Sequence, residues 1–189
     1  MTNAEILSIF KQTGALLEGH FQLTSGLHSP QYFQCAKVLQ YPKYTDLLCG
    51  EIAAKFRPQK IDAVVAPALG GIVVGQEVGR QLGARTMFTE RKDGKMQLRR
   101  GFEIRMGENV LVCEDVITTG GSVQEVIDIV KNIGGTLAGV AAIVDRSGGK
   151  VPFEKMFATM VMNVVTYGPE ECPLCKQGTK PEKPGSRSN

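Results

Sequence analysis

The stretch Val110-Leu-Val-Cys-Glu-Asp-Val-Ile-Thr-Thr-Gly-Gly-Ser122, with the segment Val123 to Ile133 behind it, decides how this chain is read. Asn109 to Cys113 is a short apolar, β-branched run of the kind that forms a buried strand. Val123, Val126, Ile127, Val130 and Ile133 recur at the three-and-four spacing of a helix. A strand therefore feeds a helix through a tight loop. That loop carries two carboxylates, Glu114 and Asp115, then Val116, Ile117, Thr118, Thr119, Gly120, Gly121 and Ser122. The glycines permit positive φ and close backbone approach, and the first N–H groups of the helix have no internal partners, so they present partial positive charge. Such a loop is a cradle for a phosphate group.

The carboxylates narrow the compound. Beside a phosphate, two adjacent acids repel the ligand unless they face sugar hydroxyls, which donate hydrogen bonds, or a divalent metal. A phosphorylated ribose offers both. A Walker loop needs Lys after the glycines, whereas Gly121 is followed by Ser122 and Val123, and the G-x-G-x-x-G pattern of dinucleotide sites is absent.

Glu114 to Ser122 resembles the ribose-phosphate motif of the type I phosphoribosyltransferases, which bind 5-phosphoribosyl-1-pyrophosphate (PRPP). The resemblance implies that Glu114 and Asp115 hold the ribose 2′- and 3′-hydroxyls while Thr118 to Ser122 wrap the 5′-phosphate. It also implies a leaving-group site at Ala68-Leu-Gly-Gly71, with Leu69 and Gly70 in contact with PRPP through backbone N–H groups. Many relatives carry Lys where this chain has Gly70. This second turn follows a continuous β-branched strand, Ile61 to Ala66, and opens a helix to about Leu82. Two such units in one chain point to a parallel sheet with ligand at the carboxyl ends of its strands.

Nearer the N-terminus, Asn3 is placed to cap a helix bearing Ile6, Leu7, Ile9 and Phe10. Extended runs follow around Phe21 to Thr24 and Gln31 to Cys35, separated by a Ser/Gly/Pro turn. Phe21, Leu23, Ser25, Gly26, Ser29, Pro30, Tyr32 and Phe33 match the hood of the orotate phosphoribosyltransferases, a resemblance that implies orotate as the base and Tyr32 and Phe33 among its contacts. The family often has Lys where this chain has Thr24. A purely structural hairpin, with Tyr32 and Phe33 in the core, is the alternative. Pro42 then opens a helix with Tyr44, Leu47, Leu48, Ile52 and Phe56 on one face.

After a strand from Arg85 to Thr89, the run Glu90 to Gly101 is the most basic of the chain and reads either as a solvated loop or as a functional one. Its Arg91, Lys92 and Lys95 resemble the mobile catalytic loop of the same family, which closes over pyrophosphate, generally in the partner subunit of a homodimer. Gln97 stands where the family has His; Gln can hydrogen-bond but cannot act as a general acid. A further strand, Leu137 to Val144, ends at Arg146, a residue type that pairs with carboxylates bidentately. In the family the matching Arg and the Thr at position 118 reach the orotate. A last strand is expected at Met160 to Thr166, before a tail rich in Pro, Gly, Lys and Glu that reads as partly disordered. Within it, Cys172-Pro-Leu-Cys175 has the spacing of half a zinc site; without a second such pair, a closed tetrahedral site inside one subunit is not expected.

Composition fits this reading. The chain has 189 residues, 42% hydrophobic and 22% charged, the balance of an ordinary globular domain with a sizeable core. A net charge of +3 gives no reason to expect nucleic-acid binding. No apolar run has membrane-spanning length and the N-terminus lacks a signal segment, so cytoplasmic residence is expected. Five cysteines argue against a disulfide framework. The expected architecture is α/β: a central, mostly parallel sheet flanked by helices, with residues 1–40 as helix and hood, 41–168 as core and 169–189 as tail. The resemblance implies transfer from PRPP to orotate, with Mg2+ held mainly by PRPP rather than by protein ligands. A phosphoribosyltransferase for another base, or a PRPP-sensing regulator, shares the same central motif.

Overall fold

The computed structural model describes residues 1–23 and 25–184; Thr24 lies outside the described residues. The chain starts with α1 (Asn3–Gln12), whose cap is Thr2 rather than Asn3. The reason is a reciprocal pair: Thr2 Oγ1 accepts from the Glu5 N–H, and the Glu5 carboxylate accepts from the Thr2 N–H at 2.7 Å. Two antiparallel strands, β1 (Leu16–Gln22) and β2 (His28–Phe33), form the hood sheet. After α2 (Ala36–Leu39) comes α3 (Pro42–Phe56), which buries Leu48, Cys49, Ile52 and Phe56 but leaves Leu47 exposed.

The core follows as β3 (Ala63–Pro67), α4 (Gly70–Leu82), β4 (Arg85–Lys92), β5 (Lys95–Leu98), β6 (Asn109–Ile117), α5 (Gly121–Ile133), β7 (Thr136–Asp145) and β8 (Met156–Val161). Its six-stranded sheet has the order β5-β4-β3-β6-β7-β8, parallel except for the β4–β5 edge. Successive side chains on a strand face opposite sides, so Val64 and Leu111 join one apolar cluster with α3 and α4, while Val65 and Val112 join another with α5. With both faces covered, β3 reads Ala-Val-Val-Ala-Pro and is buried at every position. Each fully buried Val or Leu here contributes about 1.5–3 kcal/mol. Removing a ring such as Phe56, buried at 1% exposure beneath the sheet, costs about 3–5 kcal/mol.

From β3 the chain moves outward to β4 and β5, then returns to pair β6 on the other side of β3 and continues to β7 and β8. The connections after β3 and β6 thus diverge, which opens a crevice at the carboxyl ends of those two neighbouring strands. Both glycine-rich turns lie at that crevice.

Three boundaries differ from the sequence expectation. Strand β6 runs through the acid pair to Ile117, because Glu114, Val116 and Ile117 all find ladder partners on β7. The basic run is a β-hairpin, with Asp93 and Gly94 at φ 51° and 77° forming the two-residue turn that matches strand twist. Strand β8 begins at Met156, opposite Val140, and ends at Val161, well before Thr166. The described part of the tail, to residue 184, is also built rather than loose: it contains the short helix α6 (Pro173–Lys176) and returns to the hood. Tyr167 exchanges two 2.9 Å backbone hydrogen bonds with His28, Gln22 N–H donates to Glu182 O at 2.7 Å, and Glu182 N–H donates to His20 O at 2.8 Å.

Candidate active site

The phosphate cradle forms where β6 stops. Thr118 and Thr119 are exposed beyond Ile117, and Gly120, at φ 78°, turns the chain into α5. Only glycine suits position 120, since a Cβ there would also lie 2.7 Å from the Phe153 ring. Gln124 N–H donates to Gly120 O at 2.9 Å, the first bond of the helix, so the preceding N–H groups face outward. They line an open pocket of about 260 Å3, bordered by Glu114 and by every residue from Val116 to Val123. The helix dipole adds positive potential at its mouth.

The acids are fixed by their own backbone. Glu114 Oε1 accepts from the Asp115 N–H at 3.0 Å, and Asp115 Oδ1 accepts from the Val116 N–H at 2.8 Å. Each acid uses one oxygen this way, leaving the other for a ligand. Burial, followed by the charge of Asp115 next to it, pushes the Glu114 carboxyl well above the usual carboxylate range. The turn after β3 lies directly against this pair: a Cβ on Gly70 would overlap the Asp115 carboxylate, and one on Gly71 would lie 2.9 Å from Glu114 Oε1. Ala68 N–H donates to Thr89 O at 2.8 Å, the Ala68–Leu69 peptide is cis, and the Leu69 side chain is exposed. The two turns expected to share one ligand are therefore in contact.

Beside them sits Arg146. Its N–H donates to Ile117 O at 2.8 Å, which sets it at the end of β7 next to the cradle, while Asp145 shapes the following turn by accepting from Ser147 and Gly149 N–H groups. The Arg146 Nε is buried without a hydrogen-bond partner among the described residues. Burial lowers the guanidinium pKa, and Tyr32 of β2 acts the other way, so the hood tyrosine lies within electrostatic reach of it. Phe33 departs from expectation. It is a core residue, 6% exposed, packed edge-on against Phe10 at 4.9 Å between ring centres. Adjacent strand residues face opposite ways, so Tyr32 and Phe33 cannot both line one site.

The hairpin carries Arg91, Lys92 and Lys95 on exposed positions near its turn. Arg91 is held: its guanidinium meets both Glu125 oxygens of α5, at 2.6 and 3.1 Å, and the Gly94 carbonyl at 2.7 Å. Among the described residues, Lys92 and Lys95 have no ion-pair partner. Gln97 faces Glu90 across the hairpin, and Glu90 in turn binds Arg99 and Arg100. Sequence reading missed Glu125, whose distance of thirty-four positions from Arg91 leaves no local signal. It also missed His20 and His28, whose side chains meet those of Cys172 and Cys175.

Comparison with known proteins agrees with this geometry. The family model for the phosphoribosyl transferase domain matches residues 43–171. The orotate phosphoribosyltransferase of Chlorobaculum parvum is 64% identical over 190 aligned residues, covering 100% of this chain and 98% of the relative. That of a Thermoanaerobacter species is 56% identical, covering 99% of each. Among solved structures, the orotate phosphoribosyltransferase of Aeropyrum pernix superimposes with a TM-score of 0.70 at 21% identity, over 83% of this chain and 93% of that one. The Mycobacterium tuberculosis enzyme in complex with inorganic phosphate gives 0.66 at 19% identity, over 84% and 94%, so the shared fold extends across distant sequences. With the cradle and the acid pair in one crevice, and relatives this similar along the whole length, the chain belongs to the phosphoribosyltransferase family, among the orotate phosphoribosyltransferases.

Proposed function

We propose that the protein transfers the 5-phosphoribosyl group of PRPP to orotate, giving orotidine 5′-monophosphate and pyrophosphate, a step of pyrimidine nucleotide synthesis. The observation that carries the choice of base is Arg146, whose buried, unpartnered Nε beside the cradle calls for a planar anion. A carboxylate on the base supplies one.

In the reaction the ribose C1–pyrophosphate oxygen bond breaks and a bond from C1 to orotate nitrogen forms. Positive charge develops on the ribose and negative charge on the leaving group, so positioning and electrostatics suffice and no side-chain nucleophile is required. The N–H groups of Thr118 to Ser122 take the 5′-phosphate, Glu114 and Asp115 accept from the ribose hydroxyls, and the turn at Leu69 and Gly70 offers backbone donors to pyrophosphate. Arg146, with Thr118 and Tyr32, orients orotate. Lys92 and Lys95 neutralise the leaving group, and Arg91 fixes the hairpin through Glu125. Mg2+, a hard cation held mainly by PRPP itself, would screen the diphosphate when bound, leaving the open oxygens of Glu114 and Asp115 to the ribose hydroxyls. The active form is a cytoplasmic homodimer in which each hairpin serves the neighbouring site. No helix among the described residues is long and apolar enough to cross a membrane.

The test is the ultraviolet absorbance of orotate mixed with protein, PRPP and Mg2+, with adenine, hypoxanthine and uracil in parallel. PRPP-dependent loss of orotate alone supports the proposal; turnover of another base would leave the PRPP site standing and refute the role of Arg146 and the hood.

A further inference from the structure

The tail expected to be loose delivers two thiols to two imidazoles. Cys172 and Cys175 lie beside His20 at the end of β1 and His28 at the start of β2, and the ligand-capable atoms of all four lie within 4.8 Å of one another. His20 Nε2 is 3.0 Å from His28 Nδ1, 3.5 Å from Cys172 Sγ and 3.8 Å from Cys175 Sγ, and Cys175 Sγ is 3.3 Å from His28 Nδ1. A tetrahedral ion with sulfur at about 2.3 Å and nitrogen at about 2.0 Å separates its ligand atoms by about 3.3–3.8 Å. The four groups thus already stand near the corners of such a shell.

We propose that His20, His28, Cys172 and Cys175 bind one Zn2+ ion, which fastens the C-terminal tail to the hood. The sequence expectation that one subunit would not close a tetrahedral site rested on the lack of a second cysteine pair; here the second pair of candidate ligands is imidazole, not thiol. The two histidines are the only ones in the chain, and both are nearly buried, at 8% and 5% exposure, as is Cys172. His20 Nδ1 lies 3.1 Å from the Thr179 carbonyl, an acceptor that demands a proton on Nδ1 and therefore leaves the Nε2 lone pair facing the cluster. Cys172 leads into α6, and Gly178, at φ 80°, turns the chain just after it so that Thr179 can reach His20. Mixed thiolate and imidazole donors favour zinc over the hard cation of the substrate site. On binding, both thiols release their protons to solvent, and two thiolates balance the dipositive charge.

The experiment uses the full-length protein without a histidine tag, purified under reducing conditions and analysed for metal by plasma mass spectrometry. About one zinc per chain is expected, falling to background in the Cys172→Ser/Cys175→Ser variant. Chelator treatment of the unmutated protein should lower its Tm by roughly 10 °C, reversed by added zinc. Reloading with Co2+ should give thiolate charge-transfer absorption and the intense visible bands of tetrahedral cobalt. Unmutated protein that holds no zinc and gives no tetrahedral cobalt spectrum would overturn the proposal, as would zinc retained in the double variant. Should that variant not fold, the cobalt spectrum of the unmutated chain decides alone. A Cys172–Cys175 disulfide that persists in reduced preparations would also refute it.

Discussion

Gly70 and Asp115 are in direct contact across the crevice: the carboxylate of the second occupies the space that a side chain on the first would need. The residue at position 70 therefore helps set where the Asp115 carboxylate points, although it belongs to the other glycine turn. Gly70→Ala should rotate Asp115 away from Val116 N–H and raise the KM for PRPP roughly 10- to 100-fold. An unchanged KM in initial-rate measurements would show that Asp115 has room to adapt.

Arg146→Met separates function from stability. Loss of a guanidinium that pairs with a buried anion costs roughly 30-fold or more in kcat/KM for orotate. The same change removes from the free protein a half-buried guanidinium whose Nε is buried with no hydrogen-bond partner among the described residues, so its Tm should rise by roughly 2–5 °C. A matched calorimetric scan and orotate titration check both; a fall in Tm together with unchanged kcat/KM would contradict the assignment.

Glu114 predicts a pH dependence. Its folded pKa is raised above the ordinary value of 4.5, so folding takes up a proton there, and the contribution is fully present below 4.5 and lost as pH climbs through the raised value. The unliganded protein should lose stability across that window, and the loss should be absent in Glu114→Gln. Hydroxyl donors or Mg2+ favour the carboxylate, so PRPP binding should release a proton and tighten with rising pH. Calorimetry in buffers of different ionisation enthalpy reads that proton; none released, beyond what the ligand itself gives up, would sink the idea.

Lys95→Ala tests the hairpin. If Lys95 acts on the leaving group, kcat should fall at least about 100-fold while binding of orotidine 5′-monophosphate is little altered. Verified heterodimers of Lys95→Ala with Asp115→Ala should then regain activity through one intact site. Full activity in the single variant removes the hairpin from the chemistry, and no recovery in the mixture removes the crossing between subunits.

The sheet and the cradle were legible because their signals are local. β-Branched runs, helical spacing and the order Glu-Asp-x-x-Thr-Thr-Gly-Gly all sit within a few residues of one another. The hairpin signal was equally local, at Asp93-Gly94, but lay inside a charged run that reads as solvated loop. The end of β8 was not legible, since strand boundaries follow pairing with β7 rather than hydrophobicity. Tyr32 and Phe33 looked equivalent, although strand alternation alone requires that one face the core. Hardest were the partners of Arg91 and of the tail cysteines, which lie 34 and about 150 positions away and meet only after the chain has packed.

The backbone bonds joining Glu182 to His20 and Gln22 also impose an order on biosynthesis. A chain emerging from the ribosome can complete its parallel sheet and both glycine turns while the hood strand β1 still lacks its last hydrogen-bonding neighbour, some 160 residues downstream. Substrate selection would then mature later than sugar-phosphate recognition, and stalled or truncated products would sequester PRPP without committing it to a base.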